Sequence, residues 1–254
     1  MNEYKRILLI ITAVFAIVCA AFVVDRPHRD SRELIQSIKN EDVSAVGNIL
    51  KDGVDPNVPS LICGKFWRLF EASPEYPLTA ACKTGNIELI RSLINSGANV
   101  NSVSKDTWSP LYVTLFYYNP DDIEIVNLLL LNGANPEIEE AGELPAFTAA
   151  RMPPRAYVGN NGAGYVLSKD YDEDSAKGIT EIVMLLATKP VDEMINSGSN
   201  ETLLMCAAKS GNTYLAEFLI SQGCDKSAED NMGKTAYDYA IDNGYSELAQ
   251  LLKF

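Results

Sequence analysis

The chain has 254 residues, of which 47% are hydrophobic, and its formal net charge is −13. This length and composition are sufficient for one domain with a sizeable core. The acidic balance argues against nucleic-acid binding, which depends on Lys and Arg neutralising phosphates, and leaves solubility or basic partners as explanations.

The amino terminus contains an apolar stretch. A short basic segment, residues 1–6, precedes residues 7–24, which carry no charge. Eighteen helical residues are the lower limit for crossing a hydrocarbon core of about 30 Å. We therefore predict a transmembrane or signal-anchor helix over 7–24 and a linker over 25–33. The alternative is a cleaved signal peptide, although the end of the stretch lacks the small residues that a cleavage site requires at positions −3 and −1.

The flanking charges suggest a topology. Lys5 and Arg6 favour an amino terminus on the inside, which places the following domain on the far, periplasmic side of the membrane. Arg26, Arg29 and Arg32 on the other flank weaken this charge argument. If the stretch is cleaved, we expect secretion to the periplasm instead.

A period of 33 residues organises the rest of the chain, since residues 202–211 and 235–244 align without a gap. Each copy contains a short helix and a second apolar-periodic helix closed by Gly. Earlier copies start near residues 77, 109 and 145, and a less regular copy starts near residue 34. One helical pair cannot bury its own apolar face, so each copy needs neighbours.

These residues resemble the ankyrin-repeat family, with its T-P-L-H-x-A-A-x-x-G first helix and L-L-x-x-G-A-D-x-N finger. Pro77–Gly85 and Gly97–Asn101 match these motifs well. The resemblance is to bacterial members that are membrane-anchored or exported. It implies an all-α solenoid of about six helix-turn-helix repeats over residues 34–254, and a monomeric protein without enzymatic activity or cofactor that binds a protein partner.

The family's His at the fourth motif position is absent. Because this His helps to tie neighbouring hairpins, we expect weaker or differently satisfied contacts between repeats. The residues that replace it are Thr79, Tyr112, Phe147, Met205 and Asp238.

Two insertions, over residues 59–75 and 151–178, interrupt the period. Insertions in repeat arrays form loops on one face and often carry function. Aromatic residues in the first insertion would be costly to expose, so they either fold back on the array or contact a partner. In the second, Pro153 and Pro154 end a helix, and a Gly- and Asn-rich cluster supports turns.

The second insertion also contains a carboxylate pattern. Asp170, Asp172, Asp174 and Glu181 have the spacing of EF-hand ligands, but Ser175 stands where that loop requires Gly. A calcium-dependent sensor or enzyme using residues 151–181 is therefore the alternative function. Elsewhere the sequence shows no nucleophile–base pair and no metal-ligand spacing that the repeat pattern does not already explain. We therefore predict no metal site and no catalysis.

The preferred prediction is a protein-interaction scaffold. Similar exported proteins include ones that neutralise or chaperone a toxin or an envelope enzyme. We expect about half of the aromatic run that starts at Tyr112 to point into the core, because the run is helical. The candidate partner-contact residues are Phe66, Trp67, Phe70, Tyr112, Phe116, Tyr117, Tyr157 and Tyr165.

Four cysteines lie within the repeats, at positions 63, 82, 206 and 224. They are sufficient for two disulfides in an oxidising compartment. The other interpretation is preferred, because Cys82 and Cys224 occupy positions where the family places a small buried Ala, and free Cys packs as a small hydrophobe.

Overall fold

A computed structural model describes residues 29–60, 74–103, 108–117, 122–153, 157–160, 165–167 and 171–253. The chain divides into two compact units at residue 107, and each is described by itself. The predicted membrane helix over residues 7–24 and the aromatic residues Phe66, Trp67 and Phe70 lie outside the described ranges. Within those ranges, no helix has the length and apolar character needed to cross a membrane.

The first unit contains repeats 1 and 2, each a helical hairpin. Helix α2 packs against α4, and α3 against α4. Residues 29–33, at the end of the predicted linker over 25–33, belong to α1. The helices are α1 (29–39), α2 (Val43–Lys51), α3 (Pro77–Thr84) and α4 (Ile87–Asn95). The core of this unit is formed by Leu34, Ile38, Val46, Leu78, Leu89, Ile90 and Leu93.

The fingers of repeats 1 and 2 contact each other. The Asn57 side-chain amide donates to the Gly97 carbonyl at 2.9 Å, and the Asn99 N–H donates to the Asn57 side-chain oxygen at 2.7 Å. The first insertion begins beside this finger. Ser60 and Glu75 close its base as an antiparallel bridge, with N–H···O distances of 2.9 and 3.2 Å. The insertion therefore leaves the neighbouring repeats in contact.

The second unit contains repeats 3 to 6 in two layers of helices. The first helices of these hairpins pack in chain order, and so do the second helices. The successive pairs are α5 (Pro110–Tyr117) with α6 (Asp122–Leu131), α7 (Pro145–Ala150) with α8 (Glu173–Leu186), α9 (Leu203–Ser210) with α10 (Thr213–Ser221), and α11 (Ala236–Asp242) with α12 (Ser246–Leu252). Fully buried side chains between the layers include Leu115, Ile125, Leu129, Phe147, Ile179 and Leu186.

The second insertion adds to the all-α solenoid a short element that was not predicted. It contains an antiparallel pair of strands, β1 (Tyr157–Asn160) and β2 (Tyr165–Leu167). Tyr and Val favour strands, and the intervening Asn and Gly favour a turn, but the sequence analysis considered only the turn residues. The end of the insertion is helical, because α8 begins at Glu173 and is longer than the second helices of the other repeats.

The residues that replace the family's His partly serve to cap their own helices. The Asp238 carboxylate accepts the Thr235 N–H and the Thr235 hydroxyl, both at 2.8 Å. The Met205 sulfur accepts the Thr202 N–H at 3.4 Å. In both helices the Thr hydroxyl accepts an N–H in return, which forms a capping box. These bonds lie within single helices, so the expectation of weaker or differently satisfied contacts between repeats stays a prediction.

Gly211 provides a test of this packing. Its φ is +74°, and an added Cβ would lie 2.5 to 2.9 Å from ring atoms of Tyr245. Gly233 has a similar φ of +71° and no neighbour within 4 Å of an added Cβ. We expect Gly233→Ala to lower the free energy of unfolding by about 1 kcal/mol through backbone strain alone. Gly211→Ala should lower it by about 1–3 kcal/mol more, because the ring must move.

Urea unfolding followed by circular dichroism measures this difference. Equal losses for the two variants would contradict the close approach of Tyr245 to the Gly211 backbone.

Candidate functional site: paired side chains of the first helices

Repeats 2 to 6 carry a contacting pair of side chains eight residues apart. The first member precedes the first helix, and the second lies at or just beyond the end of that helix. Three repeats pair an acid with a base in this order, and repeat 6 reverses it. The ion pairs are Glu75–Lys83 (3.1 Å), Glu143–Arg151, Glu201–Lys209 (2.5 Å) and Lys234–Asp242 (2.6 Å).

The carboxylate of such a pair also contacts the preceding repeat. Glu75 accepts a hydrogen bond from Lys39 of repeat 1 at 2.7 Å. Glu201 forms an ion pair with Arg151 of repeat 4 and is only 2% exposed. Burial disfavours the charge of Glu75, but the hydrogen bonds and charges of Lys39 and Lys83 outweigh it and hold the pKa of Glu75 below its ordinary 4.5.

Repeat 3 replaces the ion pair with two aromatic rings. Trp108 and Phe116 occupy the paired positions, and their ring centroids lie 4.5 Å apart. Tyr112 contacts Trp108 edge-on at 5.1 Å, and Tyr117 contacts Phe116 edge-on at 5.6 Å. We call these four residues the aromatic cluster. Trp108 is 37% exposed and Phe116 is 55% exposed, so the cluster presents apolar surface to solvent.

The cluster contains three of the predicted contact residues. Phe116 is exposed and Tyr117 is half-buried, whereas Tyr112 is buried and therefore cannot be a surface contact by itself. Tyr157 and Tyr165 lie in β1 and β2. Phe66, Trp67 and Phe70 lie outside the described residues, as stated above.

Trp108 was missed by the sequence analysis, although a signal was available. It precedes α5 at the place where Glu75, Glu143 and Glu201 precede their own helices, and the eight-residue spacing to Phe116 matches their spacing to Lys or Arg. Aligning the repeats on this pair would have identified Trp108 before the structure was known.

At the other end of the second unit the pairs surround Tyr239. Lys209 lies 4.0 Å and Lys234 lies 5.4 Å from the centroid of the Tyr239 ring, and the Tyr239 hydroxyl donates to Asp230. Burial, followed by the bond to Asp230, raises the pKa of Tyr239 well above its ordinary 10.0. This tyrosine is therefore neutral at physiological pH and acts as a packing group between two cations.

The described cysteines are Cys82, Cys206 and Cys224, of which Cys206 and Cys224 are free thiols. Cys82 and Cys206 are buried, and Cys224 is half-buried. Burial raises the pKa of Cys206 to about 12 and that of Cys224 to about 11. Since the thiolate is the reactive form, neither thiol is activated as a nucleophile. Cys63 lies outside the described residues.

The alternative calcium site does not have the required geometry. Asp172 caps α8 by accepting the Ser175 N–H at 2.8 Å, and the chain is helical from Glu173 through Glu181. Over that distance a helix rises by roughly 13 Å, so Asp172 and Glu181 cannot share one ion. Asp170 lies outside the described residues. Among those that are described, no group of three or more His, Cys, Asp or Glu is placed to hold a metal ion.

The chain is similar to known repeat proteins. The family model described as Ankyrin repeats (3 copies) matches residues 34–140 and 175–253. An ankyrin repeat protein of Fowlpox virus (strain NVSL), FPV216, is 37% identical over 103 residues, which cover 40% of this chain and 31% of the viral protein. The human NAD-capped RNA hydrolase NUDT12 is 34% identical over 76 residues, or 29% of this chain and 16% of the hydrolase. The chain thus spans a third or less of these relatives.

A solved structure shares the fold. Its title is "Bd0816 Predatory Endopeptidase from Bdellovibrio bacteriovorus in complex with immunity protein Bd3460". One of its chains matches with a TM-score of 0.61 at 20% identity, covering 87% of this chain and 97% of that one.

The shared carboxylate of repeat 2 gives a prediction about pH. Because the pKa of Glu75 is lowered in the folded state, its contribution to stability is present above the unfolded-state pKa and is lost as pH falls through the folded-state value. We expect Glu75→Gln to lower the free energy of unfolding by about 1 kcal/mol at pH 7. This difference from wild type should begin to shrink below about pH 4.5, where Glu75 of the unfolded chain becomes protonated, and should disappear at the lower pH at which folded Glu75 is protonated.

Urea unfolding at pH 7 and at lower pH measures the effect. Glu33→Gln is the matched control, because Glu33 is an exposed glutamate of the same unit. An equal loss in both variants, or a loss in Glu75→Gln that does not change with pH, would contradict the role given to Glu75.

Proposed function

The chain belongs to the ankyrin-repeat family, and from this premise we propose that it is a non-enzymatic scaffold that binds a protein partner through the aromatic cluster. One observation carries the proposal: Trp108 and Phe116 expose aromatic surface at positions where the other described pairs are ionic. Aromatic residues are enriched at the energetic centres of protein interfaces, and exposing them without a partner costs free energy.

The surroundings of the cluster support an interface. Helix α7 packs against α5 and is flanked by Glu143 and Arg151, whose ion pair is equivalent to the Trp108–Phe116 contact. Protein interfaces usually have an apolar centre surrounded by a polar rim, and here a charged pair lies next to the apolar rings. The negative charge of the chain, −13, favours a partner whose contact surface is basic, because complementary charge accelerates encounter.

We propose further that the partner is a secreted toxin or an envelope enzyme, which the scaffold neutralises or chaperones. The solved structure with the same fold is titled as a complex of an endopeptidase with an immunity protein, and this supports the choice of partner class. The apolar stretch over residues 7–24 supports a location at the membrane, with the repeats on the periplasmic side.

The partner-binding proposal is tested by capture. The full chain is crosslinked in membranes of its source cells, the captured protein is identified by mass spectrometry, and its affinity is then measured with purified components. We expect Phe116→Ala to weaken binding at least tenfold, which corresponds to about 1.4 kcal/mol. If the partner is an enzyme, its inhibition by the scaffold should weaken in parallel.

Leu131→Ala is the matched control, because Leu131 is 86% exposed on the second helix of the same repeat. Circular dichroism verifies that both variants fold. A partner that binds Phe116→Ala as tightly as wild type would exclude the aromatic cluster as the contact.

The membrane proposal is tested by fractionation in a bacterial host. We expect the full chain to remain in the pellet after alkaline carbonate extraction, and a variant without residues 2–24 to become soluble. Protease added to spheroplasts should digest the repeats. The full-mass chain in the soluble fraction would contradict the anchor, and a soluble chain shortened at its amino terminus would establish the cleaved alternative.

A further inference from the structure

A second surface of the second unit has the features of a binding groove. It is an open groove of about 670 Å³, located where α8, α10 and α12 begin. Among the described residues that line it, aromatic rings and carboxylates dominate, and none is Lys or Arg. The residues that define it are Tyr171, Tyr214, Tyr245, Glu173, Glu217 and Glu247. We call it the tyrosine groove.

The aromatic walls of the tyrosine groove are accessible and partly fixed. Tyr171 is 49% exposed and Tyr214 is 39% exposed, so both present ring surface to solvent. The Tyr245 ring lies directly against the backbone of Gly211, as described above, and cannot move inward. A groove with a preformed wall loses less conformational entropy on binding than one that must be ordered.

The chain itself shows which ligand chemistry this wall accepts. Lys177 of α8 forms an ion pair with Glu173 at 2.7 Å and lies 5.8 Å above the centroid of the Tyr214 ring. One cation is therefore held by one carboxylate and one ring of the groove. Among the described residues, no cation pairs with Glu217 or Glu247, so two exposed carboxylates are left for a second cation.

The electrostatics of the groove are those of a cation site. Burial, and then the charges of Glu173 and Glu217, raise the pKa of Tyr171 above its ordinary 10.0. The positive ends of the helices oppose a cation by roughly 0.5 kcal/mol each. At the starts of α8 and α10, the side chains of Asp172 and Asn212 already accept hydrogen bonds from first-turn N–H groups. Since Glu173 is already paired with Lys177, the carboxylates of Glu217 and Glu247 set the negative sign of the local potential.

We propose that the tyrosine groove receives an arginine side chain of a protein partner, whose guanidinium stacks on Tyr214 and pairs with Glu217 and Glu247. Arginine fits better than lysine, because its planar guanidinium stacks on aromatic rings and forms forked bonds to carboxylates. The charge of −13 favours a basic partner segment over an acidic one. This surface is distinct from the aromatic cluster, and the proposal stands independently of the one above.

The experiment uses the full chain, labelled with nitrogen-15, and two blocked pentapeptides, Gly-Gly-Arg-Gly-Gly and its citrulline counterpart. Citrulline has nearly the shape of arginine but no charge. We expect the arginine peptide to bind with a dissociation constant in the millimolar range and to shift the backbone amide signals of Tyr214 and Tyr245. The citrulline peptide should give no saturable shift.

Two variants localise the interaction. Glu217→Gln with Glu247→Gln should weaken arginine-peptide binding about tenfold. Glu137→Gln with Glu139→Gln changes the net charge by the same amount at exposed positions on a finger and should leave the affinity within about twofold. Tyr214→Leu keeps the charge and should weaken binding about fivefold, through loss of the ring.

The proposal would be overturned by a citrulline peptide that binds equally well, by equal losses in the two glutamine pairs, or by amide shifts located outside the groove. None of these measurements involves the partner captured through Phe116. Failure of the tyrosine groove is therefore distinguishable from failure of the proposed function.

Discussion

The sharing of one carboxylate between adjacent repeats is the constraint on which much of the structure depends. Glu201 is almost fully buried and lies between Arg151 of repeat 4 and Lys209 of its own repeat, and Glu75 links Lys39 and Lys83 in the same way. A buried carboxylate without both partners would be costly, so repeat 2 must sit at a defined distance from repeat 1, and repeat 5 at a defined distance from repeat 4. Apolar burial drives the stacking, and the shared carboxylates fix its alignment.

This repeating polar arrangement makes the exception in repeat 3 informative. Trp108 and Phe116 are in contact, as the paired residues of the other repeats are, but neither side chain is charged. The fold does not require aromatic rings there, since Glu with Lys or Arg serves in neighbouring repeats. Exposed rings at a position that tolerates an ion pair are therefore explained better by recognition than by stability.

Much of the fold could be predicted from the sequence, because helix ends and fingers carry local signals. Gly211 ends a helix at positive φ, and Asn57 has the finger position that contacts the next repeat. Three features were not predicted. The burial of Tyr112 is undetermined by periodicity, since α5 is apolar on all sides. The local hairpin of β1 and β2 has strand and turn signals in the sequence, but only the turn signals were used. Helix α8 begins at Glu173, within residues 151–178, which the repeat alignment treats as an insertion.

The candidate site was only half visible in the sequence for a related reason. Phe116 stands out as an aromatic residue of a helix, but the role of Trp108 follows from its contact with Phe116, which lies near the other end of α5.

Repeat arrays change in evolution by recombination, which duplicates or deletes whole copies. The bridging role of Glu201 restricts such events here. A deletion that removed repeat 4 would place the Phe116 ring beside Glu201 in place of the Arg151 guanidinium. The buried Glu201 carboxylate would then have only one cationic partner, Lys209. The copies in this unit are therefore not interchangeable, because the contacts of Glu201 depend on which repeat precedes it.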